Sequence, residues 1–230
     1  MKSKLFSLSF VFIILSAGLM HAQNSPAEIR YIAIGDSYTV GTGSSPQEAW
    51  PTLLTKHLQK EGISIRLVAN LAQNGWTTQN AVEIELPIYK KLKPTFATVL
   101  IGVNDWVRGM PASTFSARFG NLLDEMLKEL PNKDRLLIMT IPDFSVTPMG
   151  ASFGNVRDIS SGITQFNDII KKEAKARGLN VVDIFTLSQQ MGQDPSLVAD
   201  DGLHPSAKEH ALWENLIYPQ AKRILLGDHR

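Results

Sequence analysis

Three residues in this sequence have the types and surroundings for covalent chemistry: Ser37 near one end, and Asp201 and His204 near the other. Ser37 stands in Gly35-Asp36-Ser37-Tyr38-Thr39, just after the apolar run 29–34. The glycine allows a sharp turn, after which the serine hydroxyl stands at the start of the next element. Backbone N–H groups there face a developing negative charge. Asp201 and His204 lie three apart around Gly202 in Asp200-Asp201-Gly202-Leu203-His204-Pro205. A tight turn over that spacing sets the carboxylate against one ring nitrogen. This fixes the tautomer and leaves the other nitrogen to take a proton from the Ser37 hydroxyl. Each segment also has a plainer reading. Gly-Asp-Ser suits a turn or helix cap, Asp201 a turn, and His204 the start of a helix before Pro205.

Two further segments supply hydrogen-bond donors. Gly75, in Asn74-Gly75-Trp76-Thr77, permits close approach of the backbone to a substrate oxygen, and Asn104, in Gly102-Val103-Asn104-Asp105, offers a side-chain amide. With the Ser37 N–H they would make a three-donor oxyanion hole. Trp76 and Trp106 each follow a proposed donor within two positions and are candidates to line the acyl or leaving-group pocket, and Tyr38 is a candidate to shape it. The loop 142–157, with Phe144 and Phe153, is expected to add a further wall. His57 and His210 fall within helical stretches and read as packing or surface residues; Asp36 and Asp105 read as turn and cap residues.

The elements that must position these residues alternate along the chain. Strands are expected at 29–34, 63–70, 96–101, 135–141 and 179–185. Helices are expected at about 46–60, 78–91 with an interruption at Pro87, 111–130, 157–177 and 206–226. Runs such as Thr98-Val-Leu-Ile and Leu136-Leu-Ile-Met are continuously apolar, as strands are when helices cover both faces of their sheet. Alternating β and α elements predict a parallel, doubly wound sheet around one core, with the chemistry at the carboxyl ends of the strands. Residues 35–37, 70–77 and 102–105 occupy such ends.

Together, Gly35-Asp36-Ser37, Gly75, Gly102-Val103-Asn104-Asp105 and Asp201-Gly202-Leu203-His204-Pro205 resemble the four blocks of the SGNH (GDSL-like) hydrolases, over residues 29–226. The resemblance implies a serine esterase on a flavodoxin-like three-layer α/β/α sandwich with a parallel sheet of about five strands. It also implies Ser37 as nucleophile, His204 as base oriented by Asp201, Ser37, Gly75 and Asn104 as oxyanion donors, and no cofactor or metal. Tyr38 departs from the leucine often found after that serine, a position the chemistry does not use. An α/β-hydrolase would carry its serine in Gly-x-Ser-x-Gly, but position 39 is Thr. Two other classes compete. A metal-dependent phosphoesterase would use Asp36, Asn104, Asp201 and His204, but lacks further ligands and a paired-histidine motif. A carbohydrate-binding module without activity would lack a triad member. Among esters, short-chain and carbohydrate O-acetyl substrates are favoured over the phospholipids of a lysophospholipase or lipase, because no strongly amphipathic or basic segment appears.

Composition bounds the rest. Lys2 and Lys4, an apolar run 5–20 and Ala22 have the layout of a signal peptide over residues 1–22, leaving 23–230 as a single domain. The run is about 16 residues and carries three serines, short of the roughly 20 that span a bilayer. Export to a periplasm or the exterior is expected, with no stable membrane insertion after cleavage. The chain has no Cys, which excludes disulfides, a cysteine nucleophile and thiolate metal sites. Losing Lys2 and Lys4 takes the formal charge from +1 to −1 with no basic stripe, so nucleic acid is not an expected partner.

Overall fold

The computed structural model describes residues 27–153 and 158–227; the expected leader lies outside them. The chain runs β1 (Ile29–Gly35), α1 (Ser37–Val40), α2 (Trp50–Lys60), β2 (Ile65–Asn70), α3 (Thr78–Asn80), a π-helical turn (Ala81–Glu85) and α4 (Leu86–Leu92). It continues through β3 (Phe96–Leu100), α5 (Val103–Val107), α6 (Ala112–Leu127), β4 (Leu136–Met139), α7 (Ile159–Arg177), β5 (Asn180–Val182), α8 (Phe185–Ser188) and α9 (Ala207–Leu226). The five strands form one all-parallel sheet in the order β2-β1-β3-β4-β5. Every residue of β3 and β4 is buried, which is why those runs are apolar without alternation. α2 packs on α9, and α6 packs on α7 with α4 beside it, giving a helical layer on each face of the sheet. Stacked rings of Phe119, Phe115 and Phe166 join α6 to α7, with centroids 5.6 and 4.3 Å apart.

In this strand order β2 is laid on one side of β1 and β3 on the other, and this switch opens a crevice at the carboxyl ends of β1 and β3. Ser37 follows β1 and Asn104 follows β3, so the crevice receives both.

Three details depart from the pattern expected of the sequence. The interruption in the 78–91 helix is not at Pro87 but upstream, where the Leu86 N–H reaches five residues back to the Ala81 carbonyl. That wider turn comes just before Pro87, whose ring would otherwise meet the carbonyl four residues back, and α4 then continues through it. β4 and β5 are shorter than their apolar runs. Ile141 and Ile184 are fully buried beyond the strand ends, and the Ile141 N–H and C=O are both satisfied by the Asn167 amide, at 2.7 and 2.9 Å. Apolarity there reports burial rather than pairing. Finally, the segments after β1 and β3, outside the expected helices, wind into the short helices α1 and α5.

Candidate active site

Ser37 is the first residue of α1, and Asp36 caps that helix by accepting the Tyr38 N–H at 3.1 Å. The turn needs Gly35. A Cβ there would lie 2.3 Å from Thr39 Oγ1 and 2.5 Å from the Leu100 carbonyl, so any side chain would push α1 off the sheet. From the edge strand, Asn70 Nδ2 donates to the Thr39 carbonyl at 2.8 Å and ties α1 to the end of β2.

On the far side, the Asp201 carboxylate organises its own turn. Oδ1 accepts the Leu203 and His204 N–H groups, both at 2.9 Å, and Oδ2 lies 2.6 Å from His204 Nδ1. Gly202 makes the reversal with φ +70°, in the left-handed region. Burial works to raise the Asp201 pKa, but the two backbone donors and the His204 ring outweigh it and hold the carboxyl below its usual range. An ionised carboxylate only accepts, so Nδ1 carries a proton, and in the neutral ring Nε2 is the nitrogen with the lone pair. The loop is anchored where the Ala199 N–H meets the His204 carbonyl at 2.8 Å.

Ser37, Tyr38, Asn104 and His204 line one cleft of about 60 Å³, whose other walls are Val103, Val107, Phe144, Phe153 and Leu203. Asn104 Nδ2 donates one hydrogen to the Trp76 carbonyl at 2.9 Å, which orients the amide and leaves its second N–H free to serve the cleft. Arg108 donates to the Gly75 carbonyl at 2.7 Å, and Asp105 accepts the Thr78 N–H and hydroxyl at 2.9 and 2.5 Å. Three residues of one short helical stretch thus clamp the 75–78 segment. Gly75 has φ +77° and is not among the residues lining the cleft; the segment meets it through the Trp76–Asn104 bond.

A serine-bearing turn, a carboxylate–imidazole pair and an oriented asparagine thus converge on the crevice between β1 and β3. The profile of the GDSL-like lipase/acylhydrolase family matches residues 33–212. The chain belongs to that family. An arylesterase of Vibrio mimicus is 23% identical over 202 residues, covering 88% of this chain and 89% of its own. Esterase TesA of Pseudomonas aeruginosa is 24% identical over 195 residues, 84% and 88% of the two chains. Among solved structures, a family 3 carbohydrate esterase of Clostridium thermocellum superposes with a TM-score of 0.70 at 21% identity, covering 87% of this chain and 98% of that one. As a GDSL-like acylhydrolase, the protein is a carboxylic ester hydrolase.

Within this family member the aromatic candidates divide. Tyr38 lines the cleft, its ring 5.9 Å from those of both His204 and Trp213. Trp76 does not line it; the residue lines a separate open depression. Trp106 is also expected at the pocket but is buried behind it, its ring 6.1 Å from that of Phe144. Because α5 is helical, Val103, Asn104 and Val107 take the cleft side and turn Trp106 toward α7. Gly162 makes room there: a Cβ on it would stand 2.0 Å from the Trp106 ring nitrogen. Phe144 and Phe153 supply the wall expected of their loop. His210 is fully buried, with burial pushing its pKa down to about 4, and His57 pairs with Glu214 at 3.0 Å and stacks on Tyr218 at 3.6 Å. Neither lines the cleft. Among the described residues no group of three or more His, Asp or Glu is gathered as a metal site.

Glu85 escaped the sequence reading. Its Oε2 accepts the Gly35 N–H at 3.0 Å, directly beneath the serine turn, and burial pushes its pKa up to about 8. Asp36 is likewise raised to about 8 by burial, with the Tyr38 N–H opposing and the Asp105 charge adding. Both carboxyls under Ser37 are therefore largely protonated at neutral pH. The signal was present: Glu85 lies four residues from both Ala81 and Tyr89, a charge on a buried stripe.

Proposed function

We propose that the protein hydrolyses carboxylic esters of short acyl chains through a Ser37 acyl-enzyme, with His204 as general base and Asp201 holding it in its working tautomer. The observation that carries this reading is the 2.6 Å contact of Asp201 Oδ2 with His204 Nδ1, which leaves Nε2 for the serine in a cleft that Ser37 shares. His204 takes the Ser37 proton as Oγ bonds to the ester carbonyl carbon, and the oxyanion is met by the Ser37 N–H and the Asn104 amide, with Gly75, the third expected donor, lying outside the cleft lining. His204 then gives that proton to the departing alcohol. It next takes one from water, whose oxygen attacks the acyl carbon and releases the acid and the Ser37 hydroxyl. The cleft of about 60 Å³ is on the order of two water volumes at roughly 30 Å³ each, which suits an acetyl or similarly short group.

The basic and apolar leader supports export to a periplasm or the exterior, with residues 23–230 working as one domain. Among the described residues no helix is long and apolar enough to cross a membrane. A series of p-nitrophenyl esters from acetyl to palmitoyl, run with wild type and Ser37→Ala, tests the reading. Turnover is expected to peak at two to four carbons and to vanish in the variant. A peak at long chains, as a lysophospholipase or lipase would give, overturns the short-acyl assignment. Full activity in Ser37→Ala overturns the nucleophile.

A further inference from the structure

Beside the catalytic cleft lies a second, much larger concavity of about 550 Å³, open to solvent, which the mechanism above does not use. We infer that it is the leaving-group subsite and that it takes an uncharged sugar, so that the substrate is a short acyl ester of a carbohydrate hydroxyl. The inference rests on the Ser37 reading and adds the identity of the alcohol.

Position comes first. One wall is the end of α1 and the residues after it, where the Gly41 and Thr42 N–H groups both donate to the Ser37 carbonyl, at 3.2 and 3.1 Å. Trp76 also lines the space, and its carbonyl accepts the Asn104 amide that lines the cleft. Ser37 lines the small cleft, and its carbonyl anchors the Gly41–Thr42 wall of the larger space. Their sizes differ about ninefold, which fits a small acyl group on one side and a bulky alcohol on the other.

Chemistry narrows the alcohol. The polar lining is Thr42, Ser44, Gln73 and Asn74, all neutral, and no Lys, Arg, Asp or Glu lines the space. A phosphate-bearing alcohol would find no cation there, since Arg108 is engaged with the Gly75 carbonyl. An alkyl alcohol would displace water from the Gln73 and Asn74 amides without replacing its hydrogen bonds. A sugar satisfies both demands, with hydroxyls for the amides and hydroxyls of the lining and a C–H face for part-exposed Trp76. The surface is also partly preorganised. Thr42 Oγ1 donates to Asn74 Oδ1 at 2.5 Å across the two walls, which points the Asn74 amide N–H groups away from that bond. Trp50, Trp106 and Trp213 are buried, which leaves Trp76, part-exposed, as the indole a soluble ligand can reach.

The test keeps the acyl group constant and varies the alcohol, using mono-O-acetylated methyl glucosides, hexyl acetate and acetylated glycerol 3-phosphate. Because a sugar hydroxyl is intrinsically the better leaving group, the decisive number is the change on Trp76→Ala and Gln73→Ala. Each is expected to lower kcat/KM for the acetyl glucosides at least tenfold relative to hexyl acetate, chiefly through KM. Binding is read separately in Ser37→Ala, where acetyl glucosides are expected to change indole fluorescence saturably and to lose that change in Ser37→Ala/Trp76→Ala. Equal loss on all three acetates, or a preference for the phosphate ester, overturns the subsite. If acetates are hydrolysed with Ser37 dependence but the glucosides are not, the subsite falls and the serine reading stands. If no acetate is hydrolysed, the serine reading falls with it.

Discussion

At the scale of residues, the candidate triad is a set of groups that work only together. Ser37→Ala and His204→Ala are each expected to remove nearly all turnover, and the double variant to be little worse than either, because each step needs both groups. Steady-state kinetics on p-nitrophenyl acetate measures this, and additive losses would mean the two act independently. Asp201→Asn tests orientation. An amide at that position can donate to Nδ1 and so favour the wrong tautomer, and kcat is expected to fall by on the order of 10⁴, as in serine proteases with the same change. Retained activity in Asp201→Asn would move the orienting role to Asp200. Asn104→Ala should lower kcat by roughly 10²–10³ with a smaller change in KM, the loss usual for one oxyanion donor. A pure KM effect would make Asn104 a substrate-positioning residue.

At the scale of elements, the site depends on a helix that brings no residue into it. The π-turn after α3 delivers Glu85 beneath Gly35, where its carboxyl is held protonated. The unfolded chain releases that proton near the ordinary glutamate value of about 4.3, whereas the folded chain keeps it to about 8. Folding therefore takes up a proton between those values. Stability is fully present below the lower one and declines as pH rises toward the upper, by on the order of 1 kcal/mol per pH unit. Glu85→Gln should flatten that decline, so that the variant gains on wild type from pH 5 to pH 8 in urea denaturation. An unchanged slope would assign the pH dependence to Asp36, which carries the same shift.

At the scale of the whole molecule, the helical layers hold the crevice open and are separable from the chemistry. Phe119 is 1% exposed and stacks on Phe115 in the α6–α7 layer, away from the cleft. Phe119→Ala should cost about 3–5 kcal/mol. For a chain of this size that is a fall in Tm on the order of 10 °C. Well below the transition, kcat on p-nitrophenyl acetate should stay within twofold of wild type; a larger loss would show that packing in this layer reaches the serine turn.

The sequence alone determined the alternation of strands and helices, the continuously apolar central strands and the four segments at strand and helix ends. It could do so because periodicity, glycine and local spacing are properties of neighbours along the chain. The Asp201–His204 pair is of that kind, since a three-residue turn makes it whatever surrounds it. Tertiary structure decided what depends on neighbours in space. Glu85 meets Gly35 across 50 residues, and Trp106 turns from the cleft because α5 is a helix facing Gly162. Trp76 faces a separate depression because Asn104, Asp105 and Arg108 clamp the segment around it. A buried carboxyl and an exposed one are the same letter in a sequence; the sheet, by removing water from one of them, makes the difference.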